Sequence, residues 1–109
     1  MILIFRNKAD EQNLQKVAEE LKGYIKVAVD VNKKILAAGG ARHVDCEQLL
    51  LKEGSRQEDV WGAGLDLETN EVDYDSMINL RPGQGNMSRE VLDAKLRIKI
   101  EEAIRNLLR

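Results

Sequence analysis

The residues most capable of catalysis lie within one short stretch of the chain. His43 and Cys46 are the only histidine and the only cysteine, and Asp45 stands between them. Asp45, with Gln48 three residues later, fits the N-cap of a helix, which would make Cys46 the first helical residue. The helix macrodipole would lower the thiol pKa there, and His43 would serve as base or counter-ion. The sequence therefore allows a catalytic group of Cys46, His43 and Asp45.

The same spacing also fits a structural role. Cys46 would then pack as a small apolar side chain beside Leu49 and Leu50, while His43 makes an ordinary hydrogen bond. We favour this interpretation, because no recognised catalytic signature accompanies the pair. No metal site is predicted, since zinc needs three or four ligands and the chain has no further cysteine or histidine.

A second group of residues, in the second half of the chain, could bind a ligand. The segment Arg81-Pro82-Gly83-Gln84-Gly85-Asn86 is a loop by its glycine and proline content. Asn79, Arg81 and Asn86 could hold a small anionic ligand, with Trp61 as a ligand platform or a core anchor. In the alternative, the segment is a structural turn in which Arg81 pairs with acidic side chains. It matches neither nucleotide-binding loop pattern, so no cofactor is predicted.

Period-two alternation from Trp61 to Leu80 predicts a hairpin with its turn at Thr69-Asn70. Leu67 would then face Val72, and five carboxylates would share the other face of the hairpin. Such a cluster is tolerable if it is solvated, neutralised by basic side chains, or bound to a divalent cation. Its members are Asp66, Glu68, Glu71, Asp73 and Asp75.

The remaining periodicity predicts the element order β-α-β-β-α-β-β-(β)-α. The bracketed strand is an extended piece at residues 88–92. We expect an α+β fold with a mixed or mostly antiparallel sheet, made of two β-hairpins plus an N-terminal strand, and about three helices mainly on one face. The predicted segments outside the hairpin above are a strand at Met1–Phe5, a helix between Asp10 and Gly23, a hairpin of Tyr24–Asp30 with Ile35–Ala38, a helix between Asp45 and Gly54, and a helix capped by Asp93.

Length and composition favour one globular domain over residues 1–109. A lone cysteine cannot form an internal disulfide, and the apolar run at the start is too short for a signal sequence. No apolar run is long enough to span a bilayer. We therefore expect a cytoplasmic protein without a membrane contact.

Charge is distributed unevenly along the chain. The net charge is −2 overall, but it is about +3 over residues 1–44, −8 over 45–75 and +3 over 76–109. A nucleic-acid-binding protein normally carries a stripe of basic residues, whereas the middle third of this chain is strongly acidic. Nucleic-acid binding is therefore disfavoured.

Several short motifs resemble those of a family of short uncharacterised prokaryotic proteins. The resemblance covers most of the chain and implies no activity for any of its residues. The chain differs at Ala94, where a proline after Asp93 would better suit the first helical turn. The motifs are Ile35-Leu36-Ala37-Ala38-Gly39-Gly40, His43-x-Asp45-Cys46-Glu47, Gly54-Ser55, Trp61-Gly62, Ile78-Asn79-Leu80-Arg81-Pro82 and Asn86.

Two functions fit these observations. We favour a non-catalytic domain that binds a partner or self-associates, most simply as a homodimer, through the C-terminal helix or a strand face left open by Gly62 and Gly64. The alternative is a small hydrolase or transferase with Cys46 as nucleophile, His43 as base and Arg81 holding an anionic group. The enzyme requires both segments to meet on the same side of the sheet.

Overall fold

A five-stranded antiparallel sheet organises the chain, and the computed structural model describes every residue from Met1 to Arg109. The sheet order is β1-β3-β2-β4-β5. The strands are β1 (Ile2–Phe5), β2 (Tyr24–Asp30), β3 (Ile35–Gly39), β4 (Val60–Asp66) and β5 (Val72–Asp73), and the α-helices are α1 (Glu11–Ala18), α2 (His43–Lys52) and α3 (Ala94–Leu107). The predicted α+β class with a mostly antiparallel sheet is confirmed.

The two faces of the sheet carry different cores. Helices α1 and α3 cover the larger one, whose β2 members are Ile25, Val27 and Val29, as the alternation predicts. Helix α2 covers the other face together with Ile78, over a smaller core of Ala28, Ala37, Cys46, Leu50 and Val60. The short alanine side chains under α2 let the helix lie close to the strands.

Local signals define α1 and α3 as expected. The Asp10 carboxylate accepts a hydrogen bond from the backbone N–H of Asn13 at 2.7 Å, and Asp93 caps α3 in the same way. Gly23 follows α1 with a positive φ of 100°, which suits glycine.

The longest helix, α3, has 14 residues. No helix reaches the length and apolarity that a membrane span requires.

The predicted hairpin from Trp61 to Leu80 is wrong in register and in length. Val72 pairs with Leu65 and not with Leu67, and β5 has only two residues. The turn is wider than expected, because the Asp66 carboxylate accepts hydrogen bonds from the backbone N–H groups of residues 68 and 69 at 2.9 and 3.3 Å. The N–H of Leu67 instead donates to the carbonyl of Gly23 at 2.9 Å.

After β5 the chain leaves the sheet and forms a 3₁₀ turn at Met77–Asn79. Ser76 caps this turn and packs directly on Gly62, where an added Cβ would lie 2.5 Å from the Cβ of Ser76. Tyr24 fills the space over Gly64 in the same manner. The strand face that these glycines were expected to leave open is therefore occupied within the chain.

The expected extended piece at residues 88–92 runs beside the chain that follows β5. The N–H of Ser76 donates to the carbonyl of Arg89 at 3.0 Å, and that of Val91 donates to the carbonyl of Tyr74 at 3.1 Å. These contacts close residues 74–92 into one segment that lies along the edge of β4. We refer to it as the 74–92 segment.

We predict that Gly62→Ala destabilises the protein by about 1–3 kcal/mol, because the new methyl group must displace Ser76 in a packed contact. Urea unfolding followed by circular dichroism measures this. Gly83→Ala is the matched control, since nothing lies within 4 Å of its Cβ position. Equal stability of the two variants would show that the contact between Gly62 and Ser76 is loose.

Candidate functional site

His43 lies at the start of α2 and not before it. The helix begins at His43 with Arg42 in the N-cap position, so the predicted cap at Asp45 is wrong. The carboxylate of Asp45 forms an ion pair with Arg42 at 3.0 Å instead. The His43 Nε2–H donates to the carbonyl of Ala63 at 2.7 Å. Burial, assisted by Lys26, lowers the pKa of His43, which keeps the imidazole neutral at pH 7.

Cys46 is the fourth residue of α2 and points into the sheet. Its side chain is fully buried, and its Sγ lies 3.2 Å from the carbonyl oxygen of Gly39 and 3.8 Å from that of Lys26. Burial, with a smaller contribution from the negative charge of Asp45, raises the pKa of the Cys46 thiol to about 12. Neither hydrogen bond of the thiol involves His43, so the contacts of Cys46 are those of a packed core residue.

A shallow cleft of about 290 Å³ opens beside the start of α2. It contains His43 and the beginning of the 74–92 segment, so the two regions do meet on one face of the sheet. Cys46 and Arg81 do not line it, and Arg42 is already paired with Asp45. The lining residues are Lys26, Arg42, His43, Val44, Ser76, Met77, Ile78 and Arg89.

Arg81 is the most highly connected side chain of the 74–92 segment. Its guanidinium stacks over Trp61 at 4.4 Å from the ring centroid and pairs with Glu47 at 3.4 Å. Both charged side chains are nearly buried, with 9% and 7% exposed. Burial lowers the pKa of Arg81, and the Glu47 carboxylate opposes this effect.

All five N–H donors of Arg81 have acceptors within the chain. Nε donates to the carbonyl of Ile78 at 2.8 Å, while the two terminal nitrogens share four acceptors. An anionic ligand would have to displace one of these partners. The four acceptors are the carbonyls of Gln57 and Val60 and the side chains of Gln84 and Glu47.

Asn79 and Asn86 are buried and also fully engaged. The Asn79 side chain accepts from the N–H of Gly62 at 2.8 Å and donates to the carbonyl of Gly62 at 2.9 Å. Asn86 donates to the carbonyl of Asn79 at 2.7 Å and accepts from the N–H of Leu92 at 3.0 Å. The structure thus brings Asn79, Arg81, Asn86 and Trp61 together, and the polar side-chain atoms of Asn79, Arg81 and Asn86 bind the chain itself.

The five carboxylates predicted to share a hairpin face are distributed over different roles. Asp66 holds the turn, Asp73 accepts a hydrogen bond from Tyr24 at 2.6 Å, and Asp75 pairs with Arg89 at 3.3 Å. Glu68 and Glu71 are exposed. No group of three or more acidic, histidine or cysteine side chains could hold a metal ion. The predicted cluster is wrong because β5 ends at Asp73, so that Glu68, Glu71 and Asp75 lie outside the strand pair.

Two important partners were missed from the sequence. Glu47 pairs with Arg81, which follows it by 34 residues in the sequence. The backbone of Gly62 is hydrogen-bonded to the side-chain amide of Asn79, which follows it by 17 residues. No local pattern connects such distant residues. The signal that was available is the pair of glycines in β4, whose missing side chains mark a close approach of other groups.

The protein family described as a protein of unknown function, DUF5674, matches residues 3–107 of the chain. No curated protein and no solved structure matches the chain.

We predict that native Cys46 resists alkylation, because its thiol remains protonated near pH 8, where free cysteine with a pKa of about 8.5 reacts readily. Iodoacetamide labelling followed by mass spectrometry measures this, with protein unfolded in guanidinium as the control. Rapid native labelling with an apparent pKa below about 8.5 would restore the nucleophile hypothesis.

We predict that Arg81→Met costs about 3–5 kcal/mol of unfolding free energy, because it leaves the Glu47 carboxylate buried without a partner. Arg6→Met, which removes the exposed pair of Arg6 and Glu53, should cost less than about 1 kcal/mol. Denaturant titration of both variants compares them. A small loss at Arg81 would mean that its contacts are not required for the fold.

Proposed function

We propose that this chain, which belongs to the DUF5674 family of proteins of unknown function, is a non-catalytic domain that associates with a second copy of itself through the free edge of β1. The single observation that carries the proposal is the contrast between the two edges of the sheet. The edge beyond β4 is closed by β5 and the 74–92 segment, and the edge at β1 is open.

The open edge is apolar and its backbone is incompletely paired. Ile2, Leu3 and Ile4 are all partly exposed, and β1 contains no charged residue. Apart from its pairing with β3, no backbone hydrogen bond reaches Ile2–Phe5 from elsewhere in the chain. An unprotected apolar edge strand pairs readily with another strand, and proteins that remain monomeric usually block such an edge with a charge, a proline or a bulge.

The side chains considered for catalysis support the same proposal. The Cys46 thiol is buried with a raised pKa, and the five donors of Arg81 bind groups of the chain. A hydrolase or transferase would need a reactive thiolate and a guanidinium free to bind an anion. The contacts therefore favour association over the enzymatic alternative.

The predicted consequence is a concentration-dependent dimer that Ile4→Lys weakens, because a lysine on the edge strand opposes pairing. Sedimentation velocity over a range of concentrations measures it, and circular dichroism checks that the variant is folded. Ile98→Lys is the matched control, since Ile98 is 58% exposed on α3.

A wild-type protein that stays monomeric at high concentration would overturn the proposal. Dissociation by Ile98→Lys, with Ile4→Lys remaining dimeric, would instead assign the interface to the C-terminal helix.

A further inference from the structure

We infer that the β1 edges join in a closed two-fold dimer whose α2 helices lie antiparallel on either side of the seam and select one another by charge. This inference rests on the proposed function and specifies the arrangement of its interface. Three features support it: the closed edge beyond β4, the groove between β1 and α2, and the order of charges along α2.

The closed edge excludes a head-to-tail chain of copies. Such a chain would need two different open edges, one at each side of the sheet. Beyond β4, however, β5 has only two residues, and the Asn79 amide occupies both backbone polar groups of Gly62. The β1 edge of one copy can therefore find an open edge only on the β1 strand of another.

Antiparallel pairing of two β1 strands makes a continuous sheet of ten strands, five from each copy. The two-fold axis then stands perpendicular to the sheet, so both α2 helices lie on the same face and run in opposite directions. A parallel pairing would place them on opposite faces, where they could not meet. The side of α2 that borders β1 therefore decides which arrangement is favoured.

A groove of about 610 Å³ separates β1 from α2. Ile2 forms its β1 side, and Leu49 and Gln48 lie at the middle of its helical side. Positions 45, 48, 49 and 52 have the spacing i, i+3, i+4, i+7, which places them along one side of a helix. The full lining is Ile2, Asp45, Gln48, Leu49, Leu51 and Lys52.

The charges on this side are self-complementary. Asp45 lies in the first turn of α2 and Lys52 is its last residue, and on this side of the helix the uncharged Gln48 and Leu49 lie between them. A two-fold axis near the middle of the helix brings Asp45 towards the partner's Lys52 and repeats the contact by symmetry. Lys52 has no ion pair within its own chain, and Arg42, the present partner of Asp45, is 72% exposed. Charge complementarity of this kind determines register and orientation more than affinity.

A charge exchange tests the arrangement. Lys52→Asp and Asp45→Lys each place like charges opposite one another at two symmetric positions, and each should weaken the dimer about tenfold at low salt. The double variant Asp45→Lys/Lys52→Asp restores the opposite charges and should return the dissociation constant to within about threefold of wild type. Sedimentation equilibrium measures the four proteins.

Lys95→Asp provides the matched control, because it makes the same change of charge at an exposed site on α3 and should leave the dissociation constant unchanged. If the wild type dimerises but the single variants match it, the arrangement is overturned and self-association stands. Growth beyond the dimer with rising concentration would overturn the closed symmetry. A wild type that never dimerises would overturn the proposed function together with this inference.

Discussion

The pairing of the Asn79 side chain with the backbone of Gly62 is the constraint on which the rest of the structure depends. A β-sheet must satisfy or expose the polar backbone groups at both of its edges. Next to β4 the neighbouring strand ends after two residues, and a side-chain amide then supplies the donor and the acceptor that a strand would have supplied. Gly62 permits this because it has no side chain to hold the 74–92 segment away.

The other polar residues of the 74–92 segment help to hold it against the same edge of the sheet. Asn86 fixes the carbonyl of Asn79, and Arg81 joins the segment to α2 through Glu47 and to the sheet through Trp61. No buried side-chain nitrogen or oxygen in the chain lacks a hydrogen-bond partner. Residue types that are common in catalytic sites are thus used here to complete one edge of a small sheet, and the β1 edge has no comparable closure.

The sequence predicts those parts of the fold that depend on neighbours along the chain. Asp10 and Asp93 cap their helices, and the alternation of β2 correctly separates the residues that face the larger core. These features require only a helical or strand period and a capping residue.

The remainder depends on contacts between distant residues. The register of β5 follows from a carboxylate at Asp66 that widens the turn. The burial of Cys46 follows from a helix that starts at His43, three residues earlier than its capping pattern indicates. The open edge at β1 is invisible in its sequence, since an apolar run of four residues fits a central strand as well as an edge. Topology alone distinguishes them.

The two edges of the sheet can be compared by amide hydrogen exchange, measured at low and at high protein concentration. The N–H of Gly62 should be protected at both concentrations, because Asn79 binds it within each chain. The outward N–H groups of β1 should exchange rapidly in dilute protein and become protected as concentration rises. Protection of β1 that does not change with concentration would argue against association through the β1 edge, and rapid exchange at Gly62 would argue against closure of the β4 edge by Asn79.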